Sequence, residues 1–253
     1  METDKKIKYK GLHRAGYITC SVIFGVTLSV LCVFIATYMM AFNRSIYHNS
    51  MVREDMEFFN VQGFTQEELD YIMDDVLKYL NDGREILDTA VEGFEGELYT
   101  ETEISHMVDV KAIFTAIKWI TIVCALLAPL SFVGAIFIDR QRYREKHRRI
   151  FLFTLIGNAV FAGLVVLFMF INFDDIFILF HKLLFPNNED WWLYSTDILI
   201  EMQPGNHFMR MGLYISAAYV SLLLLFFLIG FFQKQIGAFF KRVFKMRNIK
   251  TAL

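Results

Sequence analysis

The chain has 253 residues, 55% of them apolar and 21% charged, with a formal net charge of -2. Composition argues against a nucleic-acid binder, because the runs of Lys and Arg are short and lie beside apolar stretches. A disulfide framework is excluded too: Cys20, Cys32 and Cys124 are the only cysteines, and all three fall inside apolar runs, where burial also raises a thiol pKa and argues against a cysteine nucleophile.

Four stretches lack Asp, Glu, Lys and Arg: 15–42, 119–138, 150–173 and 211–232. A helix needs roughly 20 apolar residues to cross the hydrocarbon core, and only helices or closed barrels satisfy the backbone there. No barrel-like alternation occurs, so the expectation is an all-α integral membrane protein with four transmembrane helices. The first run is too long for a signal h-region and has no A-x-A-like exit; it is read as a retained anchor. With charged flanks added, the expected plan is a basic N-terminus over 1–14 and a first span over 15–42. A cap over 43–110 leads into a second span over 111–138. A basic loop over 139–149 joins a third span over 150–173, an aromatic interfacial segment covers 174–208, and a fourth span over 209–232 ends in a basic tail over 233–253.

Orientation follows from charge. Lys5, Lys6, Lys8, Lys10 and Arg14 precede the first span, Arg140 to Arg149 join the second and third, and Lys234 to Lys250 follow the fourth. Excess Lys and Arg marks the cytoplasmic side. Both termini are therefore expected in the cytoplasm and the cap outside, at a plasma membrane.

The cap should be folded and helical. Thr65-Gln-Glu-Glu68 has the pattern of a capping box. Leu69, Ile72, Met73, Val76, Leu77 and Leu80 follow at helical spacing until Asn81-Asp-Gly83. Asp70, Asp74, Asp75 and Lys78 share the opposite face. The apolar face is expected to rest on the membrane surface or on other cap segments; an independent soluble helix is the plainer alternative. A second box, Thr100-Glu-Thr-Glu103, opens a helix with no breaker before the second span. His106 and Asp109 then share a face by their (i, i+3) spacing, and a carboxylate there suits orienting an imidazole.

The 174–208 region is dense in aromatics: Phe177, Phe180, Phe185, Trp191, Trp192, Tyr194 and Phe208. Half of that signal is an ordinary interfacial belt. The remainder is that Asp174, Asp175 and His181 are embedded in it, and ionisable groups at such depth are functional candidates. Among the histidines, His13 and His147 belong to the basic flanks, His48 reads as an exposed turn residue, and His207 as an interface residue. His106 and His181 stand at one predicted depth on one side, suited to acyl or ester chemistry near pH 7. A metal held by His106, Asp109, His181 and His207 or Asp174 is the rival reading, though no H-E-x-x-H occurs. No G-x-S-x-G, P-loop or GxGxxG is present, and Ser105 and Ser195 sit in no nucleophile context. A transporter is disfavoured by the lack of mid-membrane charge.

Five motifs in order, His106-Met-Val-Asp-Val-Lys111, Phe180-His-Lys-Leu-Leu-Phe185, Trp191 or Trp192, Asp197-Ile-Leu-Ile200 and Pro204, resemble those of the bacterial lipoprotein intramolecular transacylase family. The resemblance implies a four-helix membrane domain with an extracellular cap. It implies transfer of the sn-2 acyl chain of a diacylglyceryl lipoprotein onto its own N-terminal cysteine amine, giving a lyso-form product. It implies catalysis by His106 and His181 at the cap–membrane interface, without cofactor or metal. Asp109 and Asp174 are the expected supporting groups. Phe180, Phe185, Trp191, Trp192, Tyr194 and Phe208 are the expected walls of a substrate pocket. The expected partners are lipoprotein substrates and membrane lipids. The residues alone leave open which histidine is the base, with His181 favoured. They also leave open an intermolecular acyltransferase or lipid esterase, and a non-enzymatic cap that binds lipid or a partner.

Overall fold

The computed structural model describes residues 2–53, 63–138, 148–186, 189–203 and 206–250. Among them are eight helices and no strand: α1 (Glu2–Ala41), α2 (Arg44–Arg53), α3 (Gln66–Tyr79), α4 (Glu101–Ile138), α5 (Arg148–Ile171), α6 (Phe173–Leu184), α7 (Ile198–Glu201) and α8 (His207–Lys250). Four are long and apolar enough to cross a membrane, over Leu12–Ala41, Glu101–Ile138, Leu152–Ile171 and His207–Ile229. The protein is thus an all-α membrane protein with four candidate spans. Most of the basic loop over 139–149, together with Pro204 and Gly205, lies outside the described residues.

The chain divides into two compact units. The first comprises Met1–Val33, Ile122–Gly163 and Ala217–Leu253. Apolar driving force between helices is weak in lipid, so close backbone approach and hydrogen bonds do the packing. A Cβ added at Gly25 would lie 2.8 Å from Thr154 Cγ2, and one at Gly134 would lie 3.4 Å from Cys20 Sγ. Buried hydroxyls bond back to their own helix, as Ser29 Oγ does to the Gly25 carbonyl at 2.8 Å. Tyr219 donates to Asn158 Oδ1 at 3.2 Å, and the Asn158 amide donates to the Thr154 carbonyl at 2.8 Å. Large apolar side chains such as Leu126, Leu130, Phe137, Phe153 and Phe161 face outward, as lipid-facing residues do.

The second unit comprises Phe34–Thr121 and Leu164–Ser216. Its core gathers Leu69, Ile72, Met73, Val76 and Tyr79 of α3 with Met51, Leu87, Leu98, Tyr99, Met107, Ile198, Leu199 and Met202. Of the two supports expected for the apolar face of α3, it uses the other cap segments. The capping box at its start is formed: Thr65 N–H donates to Glu68 Oε2 at 2.7 Å, and Glu68 N–H donates to Thr65 Oγ1 at 3.4 Å. The acidic face is paired as well, Asp70 with His48 at 2.8 Å and Asp74 with Arg44 at 3.0 Å.

The stretch between α3 and α4 contains no regular structure among its described residues, and Arg84 holds it. Its guanidinium donates to both carboxylate oxygens of Asp75, at 3.0 and 3.1 Å, and its Nε donates to Asp82 at 2.8 Å. Lys111 Nζ donates to the Arg84 carbonyl at 2.5 Å and lies 4.1 Å above the Tyr79 ring. Burial raises the Asp75 pKa, but hydrogen bonds from Arg84 and Thr89 outweigh it and hold that carboxyl below its ordinary range.

Candidate active site

The second capping box also forms. Thr100 N–H donates to Glu103 Oε2 at 2.8 Å and Glu103 N–H donates to Thr100 Oγ1 at 3.2 Å, so α4 starts at Glu101 and carries His106 in its second turn. On the other side, Asn172 caps α6 by accepting from the Asp175 N–H at 3.4 Å. His181 lies near the far end of α6. All of α6 and the Glu101–Thr121 part of α4 belong to the second unit, and they bring the two imidazoles to a centroid separation of 6.2 Å. Phe185 lies beside both rings, 5.2 Å from His106 and 5.8 Å from His181.

His181 is 8% exposed and boxed by aromatics: Phe177 at 4.1 Å, Trp191 stacked at 5.1 Å and Phe180 edge-on at 5.3 Å. Its Nδ1 is 2.8 Å from the Phe177 carbonyl. A carbonyl only accepts, so Nδ1 carries the hydrogen in the neutral ring and Nε2 keeps its lone pair. Burial pushes the His181 pKa below the ordinary 6.5, with the bond to Phe177 opposing it. The ring is therefore neutral at pH 7 and presents a base at Nε2. His106 Nδ1 is buried without a hydrogen-bond partner. A bare lone pair there is cheaper than an unmet N–H, because buried orphan donors are the rarer case. That assigns the hydrogen of neutral His106 to Nε2.

Both histidines line a cavity of about 190 Å³, walled by Tyr47, Met73, Val76, Leu77, Leu80, Met107, Val110, Phe114, Phe177, Trp191, Leu193, Leu199, Ile200, Gln203 and Phe208. No Ser, Thr or Cys is in that wall. A larger open groove of about 670 Å³ over α2 and α3 contains neither histidine.

Several expected residues sit elsewhere. Asp109 makes no bond to His106 Nδ1, which has no hydrogen-bond partner, though its carboxylate acts on the imidazole charge through space. Asp174 is exposed in the first turn of α6, where a carboxylate complements the helix dipole, and its neighbour Asp175 engages the cap. Neither is embedded among the aromatics. Of the six pocket aromatics, Trp191 and Phe208 line the cavity and Phe185 packs against both imidazoles. Phe180 touches His181 only from outside. Trp192 and Tyr194 are 61% and 70% exposed and do not line the cavity.

His48, read as exposed, is half-buried and paired with Asp70. His207 is 1% exposed, its ring 5.0 Å from that of Tyr47. Tyr47 in turn donates to the Ala41 carbonyl at 2.7 Å. The sequence reading missed Tyr47, Gln203 and the α3 wall of Met73 and Val76; the apolar stripe on α3 was their only signal. It also missed Ser105, whose hydroxyl donates to Asp190 at 2.5 Å. Among the described residues, no three His, Cys, Asp or Glu side chains are grouped to hold a metal ion.

The family described as lipoprotein intramolecular transacylase Lit matches residues 22–208. The chain is similar in structure to the membrane integral lipoprotein intramolecular transacylase Lit from Bacillus cereus, with TM-score 0.67 and 19% identity over 90% of this chain and 98% of that one. Two forms of the same Bacillus cereus protein with one histidine replaced match as well. The arginine form gives TM-score 0.65 and 19% identity over 94% of this chain and 100% of that one. The alanine form gives 0.66 and 19% over 92% and 99%. At that identity these likenesses speak to the fold. No curated protein matches the chain.

Proposed function

The chain belongs to the lipoprotein intramolecular transacylase Lit family, and we propose that its acyl transfer takes place between His106 and His181. It is an enzyme, a lipoprotein intramolecular transacylase of the membrane.

The observation that carries the reading is the pair itself. Two imidazoles stand 6.2 Å apart on a mostly apolar cavity whose wall, among the described residues, holds no Ser, Thr or Cys. The nucleophile then comes with the substrate, as the α-amine of the N-terminal cysteine. That amine has a pKa of roughly 7.7–8.0 in water, and an apolar cavity favours its neutral form. The neutral amine attacks the carbonyl carbon of the sn-2 ester, forming a C–N bond. His181 Nε2 takes the N–H proton and His106 Nε2–H donates to the carbonyl oxygen as charge grows there. The C–O bond to glycerol then breaks, and the proton on His181 passes to the departing oxygen. No water is consumed and the product has the mass of the substrate. Because ester and amine belong to one molecule, folding them together supplies effective molarity.

The Lys and Arg excess beside the spans supports placing this site on the extracellular face. Incubation of the purified protein with a diacylglyceryl lipopeptide and no second donor tests the reading by tandem mass spectrometry. Unchanged mass with one acyl chain on the cysteine nitrogen is expected. Loss of a chain makes the protein an esterase, and a chain gained from a neighbouring lipid makes it an intermolecular transferase.

A further inference from the structure

The two capping boxes of this chain are the same motif used differently. In the first, Thr65 N–H and Oγ1–H both bond to a single oxygen of a half-exposed carboxylate, Glu68 Oε2. In the second, Thr100 makes the same two bonds to Glu103 Oε2, at 2.8 and 3.0 Å, but Glu103 is 1% exposed. Its other oxygen, Oε1, accepts the N–H of Leu199 at 2.9 Å, from 96 positions along the chain. A helix cap needs one oxygen and no burial. Burying a carboxylate is costly unless its oxygens find donors, so the second oxygen serves something other than the cap.

Two residues further along α4, Ser105 Oγ donates to Asp190 Oδ2 at 2.5 Å. Both bonds hold the same piece of chain. The 189–203 segment has only the four-residue α7 as regular helix, yet it supplies Trp191, Leu193, Leu199, Ile200 and Gln203 to the cavity wall. Within it Tyr194 N–H donates to Asp197 Oδ2 at 2.7 Å and Ile198, Leu199 and Met202 are buried in the core; the bonds to Glu103 and Ser105 add polar ties to α4. The two bonds fix it at opposite ends, one beside Trp191 and one at Leu199, and both originate within three residues of His106.

On the reading of this cavity as the active site, we infer that Glu103 and Ser105 are positioning residues that clasp the 189–203 segment to the His106 helix. Ser105 acts through Asp190 on Trp191, the ring stacked on His181. Glu103 acts through Leu199 on the wall formed by Leu199, Ile200 and Gln203. The two therefore govern different quantities: Ser105 the setting of the base, Glu103 the shape of the substrate cavity. Glutamine cannot replace Glu103 fully. Its single carbonyl satisfies either Thr100 or Leu199, and its amide hydrogens then confront the other N–H.

The test uses the full-length protein in detergent with Trp119→Phe and Trp192→Phe, leaving Trp191 as the reporter. Emission of Trp191 against pH follows protonation of the stacked His181. In this background the midpoint is expected below 6.5. In Ser105→Ala the amplitude should fall by half or more and the midpoint move up toward 6.5, with kcat down about 10–100-fold, the scale of a small misplacement. Ser105→Thr, which keeps the hydroxyl, should restore both. Glu103→Gln should raise KM several-fold with a smaller change in kcat. An unchanged Trp191 titration in Ser105→Ala overturns the clasp, as does an equal loss in Ser105→Thr. Should Glu103→Gln fail to fold, the Ser105 pair still decides. The titration needs no substrate, so failure of the clasp is distinguishable from failure of the transacylase mechanism.

Discussion

His181→Asn separates chemistry from folding better than alanine does. The Asn amide nitrogen reaches the place of Nδ1, so the bond to the Phe177 carbonyl, 2.8 Å in the native protein, survives while the base at Nε2 disappears. The stability cost is then confined to ring packing. His181 loses its contacts with Phe177 and Trp191, each about 0.5–1.5 kcal/mol, or roughly 1–3 kcal/mol together. The catalytic cost is that of a general base, about 10²–10⁴-fold in rate, which at 1.36 kcal/mol per decade is roughly 3–5 kcal/mol of barrier. The rate loss therefore exceeds what partial unfolding explains. The assay measures N-acylated lipopeptide by mass spectrometry against time, with thermal unfolding in the same detergent. A folded His181→Asn protein turning over within about ten-fold of wild type refutes the assignment of the base.

Further outcomes follow from the same geometry. Because His181 has its pKa lowered by burial, it stays neutral through pH 7 and loses activity only below 6.5. With the substrate amine titrating near 7.7–8.0, log kcat/KM should rise with slope one between about 6.5 and 7.7 and with slope two at lower pH; a histidine limb above 7 contradicts this. The same shift makes the unfolded chain take up that proton first, so this group's stabilisation is present above 6.5 and declines as pH falls below it, which chemical denaturation at several pH values checks. Arg84→Met removes the two guanidinium donors of half-buried Asp75, leaving Thr89, and frees the irregular stretch it holds; discounted for solvent screening, a loss of about 1 kcal/mol is expected in thermal unfolding. Gly25→Ala places a Cβ 2.8 Å from a β-branched, rotamer-restricted Thr154 and should lower the melting temperature. Gly212→Ala meets only the flexible end of Met169 and should leave it nearly unchanged. Equal effects refute the packing argument.

The spans were legible because lipid imposes a long, charge-free run, and both capping boxes because they are local patterns within four residues. The grouping of His106, His181 and the aromatics beside them was legible in kind. What failed was the choice among neighbours. Trp191 and Trp192 are adjacent in sequence, and nothing in their order says which ring turns onto His181. The i, i+3 pattern pointed to Asp109 and gave no sign of the bond beside His106 from Ser105 to Asp190, 85 positions away. Asp174 looked buried because its neighbours are apolar, but a helix start turned it outward. Arg84, in a stretch with no periodicity, carried no signal that it would hold that stretch together. Ser105 meets Asp190 only through the fold, 85 positions away, whereas the partners of Arg84 lie two and nine positions away in a pattern no periodicity marks.

The bond from His181 Nδ1 to the Phe177 carbonyl makes the imidazole a dead end for protons. A ring with both nitrogens free conducts: it accepts on one side, releases on the other, and can drain a reaction into bulk water. Here one side is sealed by a backbone oxygen that never gives a hydrogen back. A proton arriving at Nε2 has to depart from Nε2, and in a mostly apolar cavity the nearest taker is the oxygen the acyl group has just left. The loan and its repayment happen at one atom, within one substrate molecule, and the ring is ready for the next lipoprotein without rotating or resetting.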